Sequence, residues 1–167
     1  MSVTFFQPAC QSQSNRRTFG ICDDPPPDRS PAYLDETNGD TWIAVVHKGD
    51  DLLVTFTAID YCIETRRPNG EMDNRCDGML AYGDTVVFVE LKERNTDRTT
   101  WVAQGEKQLR TSIAYFQATE AAATFTQKLA YLANSERPKF NDSNRNRKGQ
   151  FFADTGYVLE ITPHIHL

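Results

Sequence analysis

Residues 76–92 read CDGMLAYGDTVVFVELK, and this stretch decides the fold. Its two halves, residues 76–82 and 85–92, are rich in apolar and β-branched side chains, and Gly83 and Asp84 between them supply turn chemistry. Residues 86–89 are all apolar, which is typical of a strand buried on both faces. We therefore predict an antiparallel hairpin whose second strand lies in the middle of a sheet.

A helix and two further strands are predicted after this hairpin. Val102, Leu109, Ile113 and Phe116 form one apolar stripe at helical spacing, which predicts a long helix over residues 100–118. Residues 128–133 are predicted to form a strand, followed by a polar loop and a last strand over residues 156–161. Strands alternating with helices indicate a compact α/β domain.

The chain before the hairpin is predicted to contain a second hairpin and a short helix. Residues 42–46 and 52–57 are short β-branched and aromatic runs, and the turn-forming residues 48–51 separate them. Phe56, Ile59 and Ile63 follow at spacings of three and four, which favours one apolar face of a short helix. Residues 1–40 contain many Gln, Ser, Asn, Pro and Asp residues, so we expect an irregular N-terminal arm that belongs to the same domain.

Length and composition limit the class of protein. The chain has 167 residues, of which 39% are hydrophobic and 25% charged. This composition excludes a disordered chain, a collagen-like repeat and a coiled coil, and the length indicates one domain. No apolar run approaches the roughly 20 residues of a membrane helix, and residues 1–10 do not resemble a signal peptide. We therefore expect a soluble, cytoplasmic protein that has no membrane partner.

Charge and metal-ligating residues give weaker signals. The net charge is −5, whereas a passive nucleic-acid binder is usually basic. Residues 137–148 nevertheless carry five bases and one acid, so this loop either contacts phosphate or is simply solvated. The four cysteines form no Cys-x-x-Cys pair and are predicted to be reduced, buried fillers. His164 and His166 share one face of a predicted strand, which we interpret as a frayed polar end rather than a metal site.

Three charged residues are predicted to meet at one end of the first hairpin. Glu90 and Lys92 are separated by one residue, so their side chains leave the strand on the same face. Pairing about the Gly83 turn places Asp77 opposite Glu90, and opposed side chains lie about 4.5–5.5 Å apart. Two carboxylates this close share a proton or a cation. Mg²⁺ prefers one or two carboxylates together with waters and phosphate, and a neighbouring lysine can orient the attacking water.

Asp77 followed by Glu90-Leu91-Lys92 at the end of an apolar strand resembles the PD-(D/E)XK signature of the restriction-endonuclease-like nuclease superfamily. The resemblance implies an α/β/α sandwich with a mixed central sheet, formed by residues 1–167 as a single domain. It also implies that Asp77 and Glu90 bind Mg²⁺ or Mn²⁺ and that Lys92 is the catalytic lysine. The chain departs from the family pattern at Cys76, where the signature has proline.

The same resemblance implies two further site residues. The family often adds an acid from the helix before the hairpin, which here is Asp60 or Glu64. It also often adds a polar residue from the following helix, which here is Gln108 or Gln104. The Gln-x-x-x-Tyr motif of one branch of the family is absent, because Ser112 stands four residues after Gln108.

Two functions from different classes follow. The first is a metal-dependent nuclease that hydrolyses phosphodiester bonds of DNA or RNA, with Arg66, Arg67 and Arg75 as phosphate contacts. The alternative is a catalytically silent binding protein of immunity or inhibitor type that has kept the nuclease fold. Its acidic residues 23–40 would then occupy a basic groove on a protein partner. The sequence indicates neither the choice between DNA and RNA nor the oligomeric state.

Overall fold

The computed structural model describes residues 3–25, 27–92, 101–135 and 144–167. Within these ranges the chain forms two mixed sheets and two α-helices, so the α/β class is confirmed. The strands are β1 (Gln11–Ser14), β2 (Thr18–Cys22), β3 (Tyr33–Asp35), β4 (Ala44–His47), β5 (Val54–Ala58), β6 (Gly78–Tyr82), β7 (Thr85–Lys92), β8 (Gln127–Asn134), β9 (Val158–Ile161) and β10 (His164–His166). The helices are α1 (Trp101–Gln117) and α2 (Arg145–Thr155).

The larger sheet has six strands in the order β1-β5-β6-β7-β8-β9. Its first four strands are antiparallel to one another, and β7, β8 and β9 run parallel. The predicted hairpin is confirmed, because β6 and β7 pair from Gly78 opposite Val89 to Tyr82 opposite Thr85. Residues 86–89 of β7 are fully buried, as expected for a central strand. The predictions of α1 and β8 are also confirmed.

Alternation along β7 divides its side chains between two cores. Val86 and Phe88 point into the core beneath the helices, where Leu109 and Phe116 of α1 pack against them. Helix α1 approaches the sheet closely at Gly105, where a Cβ atom would lie 2.4 Å from a methyl carbon of Leu132. The helix layer therefore packs tightly over the face on which every second residue of β7 projects.

The opposite face of the larger sheet is covered by a second sheet with the order β10-β4-β2-β3. Phe19 and Val46 of this smaller sheet lie in one core with Leu80 and Val87 of the larger sheet. The expected α/β/α sandwich is therefore wrong on this face, where strands and not helices cover the sheet in the described residues. Apolar side chains of β2, β4 and β10, among them Phe19, Val46 and Ile165, bury this sheet face in place of a helix.

The predicted hairpin of residues 42–46 and 52–57 is wrong. Strand β4 pairs with β2 and β10, whereas β5 pairs with β1 and β6 in the other sheet. The connection between β4 and β5 is organised by the buried Lys48, whose ammonium donates to the main-chain oxygens of Asp50 (3.1 Å) and Leu52 (2.5 Å). The chain therefore crosses from one sheet to the other at this point and does not fold back on itself.

The expected irregular arm and short helix are also wrong. Residues 1–40 include strands β1, β2 and β3, and β1 is an edge strand of the larger sheet. Its polar side chains suit that position, because Gln13 donates to Thr55 across the ladder at 3.3 Å. Phe56 belongs to β5, and only one turn follows it, closed by the Ile63 N–H on the Ile59 oxygen at 2.8 Å.

The cysteine prediction is wrong for one pair. Cys10 and Cys62 form a disulfide, whereas Cys22 and Cys76 are free and buried as expected. The bonded residues are 52 positions apart, so no local spacing signals the pairing. The bond ties the segment before β1 to the turn after β5. No helix in the described ranges is long and apolar enough to span a membrane.

We expect the disulfide to contribute to stability mainly by restricting the unfolded chain. Replacing both residues, Cys10→Ala with Cys62→Ala, should lower the free energy of unfolding by about 2–4 kcal/mol. Urea unfolding with and without a reductant measures this difference. Reductant should destabilise the wild type and leave the double variant unchanged. Equal stability of the oxidised wild type and the double variant would contradict the prediction.

Candidate active site

Asp77 and Glu90 lie side by side where the β6–β7 hairpin ends. The last ladder pair is Gly78 opposite Val89, so the next positions outward are 77 and 90, as the sequence predicts. Both side chains are buried, with 8% of Asp77 and 2% of Glu90 exposed. The main-chain N–H of Leu91 donates to Asp77 Oδ2 at 2.6 Å and fixes that carboxylate. Two acids are thus held together inside the protein.

Burial and mutual repulsion disfavour the state in which Asp77 and Glu90 are both ionised. Burial raises the pKa of Asp77 to about 6, although the Leu91 N–H opposes the shift. Burial and then the charge of Asp77 raise the pKa of Glu90 well above its ordinary value, against the opposing effect of Lys92. Glu90 Oε2 is buried and has no hydrogen-bond partner among the described residues. A proton or a cation is therefore needed to balance the pair.

Lys92 is held next to the pair by Gln108. The Lys92 ammonium lies 3.4 Å from Glu90 Oε1 and donates to Gln108 Oε1 at 2.8 Å. Gln108 in turn donates through Nε2 to the main-chain oxygen of Arg75 at 3.4 Å. Strand alternation places Glu90 and Lys92 on the helix side of β7, where α1 presents Gln108. The structure brings Gln108 to the site, whereas Gln104 is exposed.

Of the two candidate acids before the hairpin, Asp60 is the one that lies near the site. Asp60 forms an ion pair with Arg75 at 3.0 Å. Burial raises the pKa of Asp60, and among the opposing charges is that of Lys92. The Asp60 charge also contributes to the raised pKa of Asp77. Glu64 is exposed and pairs with Arg66 at 3.3 Å.

Asp60 is positioned by a strained turn and not by the predicted helix. Tyr61 has a φ of 61°, a left-handed conformation that is unusual for a bulky residue. Its N–H donates to Asp60 Oδ1 at 3.1 Å. The next residue, Cys62, is anchored by the disulfide to Cys10. Strain of this kind persists only where the surroundings hold it, and it often occurs at functional sites.

The basic residues proposed as phosphate contacts are paired with acids. Besides the Arg66 and Arg75 pairs, Arg67 contacts Asp73 at 3.1 Å. Part of the basic loop, residues 137–143, lies outside the described residues. Farther along, Arg147 and Lys148 belong to α2 and contact Glu106 and Glu160. These cations therefore form ion pairs within the fold, and phosphate would have to compete with the acidic side chains for them.

Two residues near the site were missed by the sequence analysis. Asn134 is buried at the end of β8, and the parallel register places it beside Lys92. The sequence pattern that could have identified Asn134 is a polar residue at the end of an apolar strand, the same pattern that drew attention to Glu90. The Ser112 hydroxyl is buried in the apolar face of α1 and accepts the Cys76 N–H at 2.9 Å, directly before Asp77. Nothing local distinguishes that serine from a small core residue.

Comparisons with known proteins assign no relatives, since no family model, curated protein or solved structure matches the chain. The described residues also contain no group of three or more His, Cys, Asp and Glu side chains arranged to hold a metal ion.

We expect Glu90→Gln to stabilise the metal-free protein at high pH. Because the folded-state pKa of Glu90 is raised, its ionised form opposes folding once the pH exceeds the ordinary value. The variant should melt higher than the wild type at pH 8, and the gap should narrow toward pH 4. Each kcal/mol corresponds to roughly 2–4 °C. Thermal unfolding in a chelator, with the exposed Glu120→Gln as control, tests this expectation; a lower or equal melting temperature at pH 8 would contradict it.

Proposed function

We propose that this protein is a metal-dependent nuclease that hydrolyses phosphodiester bonds, with Asp77, Glu90 and Lys92 at its centre. One observation carries the proposal: a buried carboxylate pair, one of whose oxygens lacks a partner among the described residues, lies beside a lysine ammonium. Such an arrangement opposes folding unless a proton or a cation balances it, so it favours a functional role over a packing role.

The acid pair fits Mg²⁺ or Mn²⁺. Mg²⁺ is commonly held by one or two carboxylates and completes its coordination with water and substrate phosphate, so a third protein ligand is not required. Asp77 and Glu90 would hold the ion, and the unsatisfied Glu90 Oε2 would gain a partner. When bound, such an ion polarises a phosphoryl oxygen and lowers the pKa of a coordinated water.

The residues around the pair have separate tasks in this proposal. A lysine ammonium has three donors, and Glu90 and Gln108 account for two of those on Lys92. In this proposal the remaining donor holds the attacking water or an oxygen of the phosphate. Gln108 positions Lys92 from α1, and Asp60, paired with Arg75, adds negative charge near the centre. Only Lys92 and the two carboxylates are expected to touch the reacting groups.

The proposal includes a restriction-endonuclease-like core formed by β5, β6, β7, α1 and β8. It is supported by three adjacent strands in antiparallel succession, followed by a helix and a fourth strand parallel to the third. The carboxylate and lysine motif lies at the end of the two middle strands of this core. The smaller sheet on the other face is an addition to that core.

The alternative of a silent binding protein has weaker support. Asp35, one of the acids expected to enter a partner's groove, accepts bonds within its own turn from Trp42 Nε1 and the Asn38 N–H, both at 2.7 Å. A fold kept only for protein contact also has no need of the buried pair Asp77 and Glu90. The intact site therefore favours catalysis, and nucleic acid remains the proposed partner, as DNA or RNA.

The disulfide affects the proposed location. The sequence predicts a cytoplasmic protein, yet disulfides persist mainly in oxidising compartments. The bond between Cys10 and Cys62 therefore favours an oxidising compartment over the cytoplasm.

We expect Lys92→Ala to reduce cleavage of nucleic acid by about 10²–10⁴-fold, because positioned proton transfer and charge stabilisation contribute that much. Cleavage of duplex DNA, single-stranded DNA and RNA with Mg²⁺ or Mn²⁺ should be measured. Lys107→Ala changes an exposed lysine on the same helix as Gln108 and should retain activity. Equal cleavage rates for wild type and Lys92→Ala would overturn the nuclease assignment.

We expect Mg²⁺ to stabilise the wild type and not Asp77→Asn. A ligand that binds only the folded state adds about 2.7 kcal/mol at a concentration of 100 Kd. Thermal unfolding across a Mg²⁺ titration measures this gain, and Glu120→Gln should respond as the wild type does. Stabilisation by Mg²⁺ without cleavage of any nucleic acid would indicate the silent form of the fold, whereas an equal response of Asp77→Asn would remove the metal from this pair.

A further inference from the structure

All three histidines of the chain meet on one face of the smaller sheet. Strand β10 pairs in parallel with β4, and the register sets His166 directly opposite His47. His164 and His166 alternate along β10 and therefore project on the same side of the sheet. Residues more than a hundred positions apart in sequence thus present three imidazoles together, outside the acid pair described above.

The rings are in contact. His47 Nε2 and His164 Nδ1 lie 3.1 Å apart, and the centroids of these two rings are separated by 5.3 Å. The rings of His47 and His166 are stacked, with centroids 4.9 Å apart and planes inclined by 17°. His164 and His166 are exposed, while Ile165 between them is fully buried and fixes the strand, so the frayed polar end expected from the sequence is wrong.

The distance between His47 Nε2 and His164 Nδ1 is close to that of two ligands of one ion. Two nitrogens at the usual Zn–N length of about 2.0–2.1 Å in tetrahedral geometry lie roughly 3.3 Å apart. In the structure these atoms share a hydrogen bond, and the three rings do not converge on one point. A third nitrogen ligand therefore requires the exposed His166 ring to turn out of its stack on His47 into another rotamer.

We propose that His47, His164 and His166 form a binding site for a transition-metal ion of the Zn²⁺, Ni²⁺ and Cu²⁺ class. Imidazole nitrogen suits these ions, whereas Mg²⁺ and Mn²⁺ prefer carboxylate oxygen. The site is therefore chemically distinct from the Asp77 and Glu90 pair and does not rest on the nuclease assignment. Water would complete the coordination on the solvent side.

Binding at this position would join two distant parts of the chain. Besides the histidines, β4 and β10 are connected by main-chain bonds such as the Leu167 N–H on the His47 oxygen at 2.9 Å. An ion held by His47 on β4 and by both histidines of β10 would clip the short β10 strand onto the sheet. Because the ion binds only the folded arrangement, its binding energy adds to folding stability.

The test uses protein without a histidine tag. Zn²⁺ and Ni²⁺ titrations followed by calorimetry and by thermal unfolding should show an ion bound at the histidines, besides any ion bound at the acid pair, and a raised melting temperature. His47→Gln and His166→Gln should each weaken this histidine-dependent binding at least about tenfold, while Asp77→Asn should retain it. Melting of each variant without metal verifies that it folds.

Two results would overturn the proposal. Unchanged Zn²⁺ affinity in both histidine variants would show that the cluster does not hold the ion. Loss of Zn²⁺ binding in Asp77→Asn with retention in the histidine variants would place the ion at the acid pair. Co²⁺ substitution adds a spectroscopic readout, since the visible bands of a four-coordinate nitrogen site should disappear in His47→Gln.

Discussion

Strand β7 is buried on both faces, and this burial places the rest of the structure around it. Its residues 86–89 have no exposed surface, so both faces of the sheet must be covered there, and helices cover one face and strands the other. The alternation that sends Val86 and Phe88 under the helices continues to Glu90 and Lys92. The charged residues are therefore carried into the helix side of the sheet by the same strand that fills the core. Packing along β7 stabilises the folded state and offsets the cost of burying the acid pair.

The surroundings of the site hold its parts by independent means. Asp77 is fixed by a main-chain N–H, Lys92 by a glutamine from α1, and Asp60 by an ion pair in a turn with left-handed geometry. The disulfide at Cys62 anchors that turn from outside the sheet. Side chains from three separate segments thus meet because each segment is restrained locally, which is the usual requirement for a preorganised site.

Local patterns predicted the parts of the fold that depend on neighbouring residues. The Gly83 turn and the alternation of β7 were sufficient to place Asp77 opposite Glu90. Helical spacing identified α1, whereas Gln108, with Gln104 as its alternative, was suggested only by the family resemblance. The short helix predicted from Phe56, Ile59 and Ile63 is absent because a strand followed by one tight turn buries the same residues as a short helix would. Their spacing reports burial, and burial alone does not distinguish the two conformations.

The remaining features depend on contacts between distant residues. Nothing near residues 42–57 indicates that β4 and β5 belong to different sheets, because β4 pairs with β2 and β10 whereas β5 pairs with β1 and β6. The disulfide and the histidine cluster arise in the same way. Asn134 lies beside Lys92 only because β7 and β8 pair in parallel, and this pairing requires the crossover through α1.

The pairing of β1 with β5 has a consequence for how this architecture can change. Ser14 lies opposite Val54, so the chain leaves the larger sheet and returns to it at adjacent points. Residues 15–53, which contain β2, β3 and β4, are thus an insert whose two ends are adjacent in the larger sheet. Loops within this insert can be lengthened or shortened while its attachment points and its core residues, such as Phe19 and Val46, stay in place. The surface of the smaller sheet is free to diversify, and the acid pair on the far side of β7 keeps its geometry.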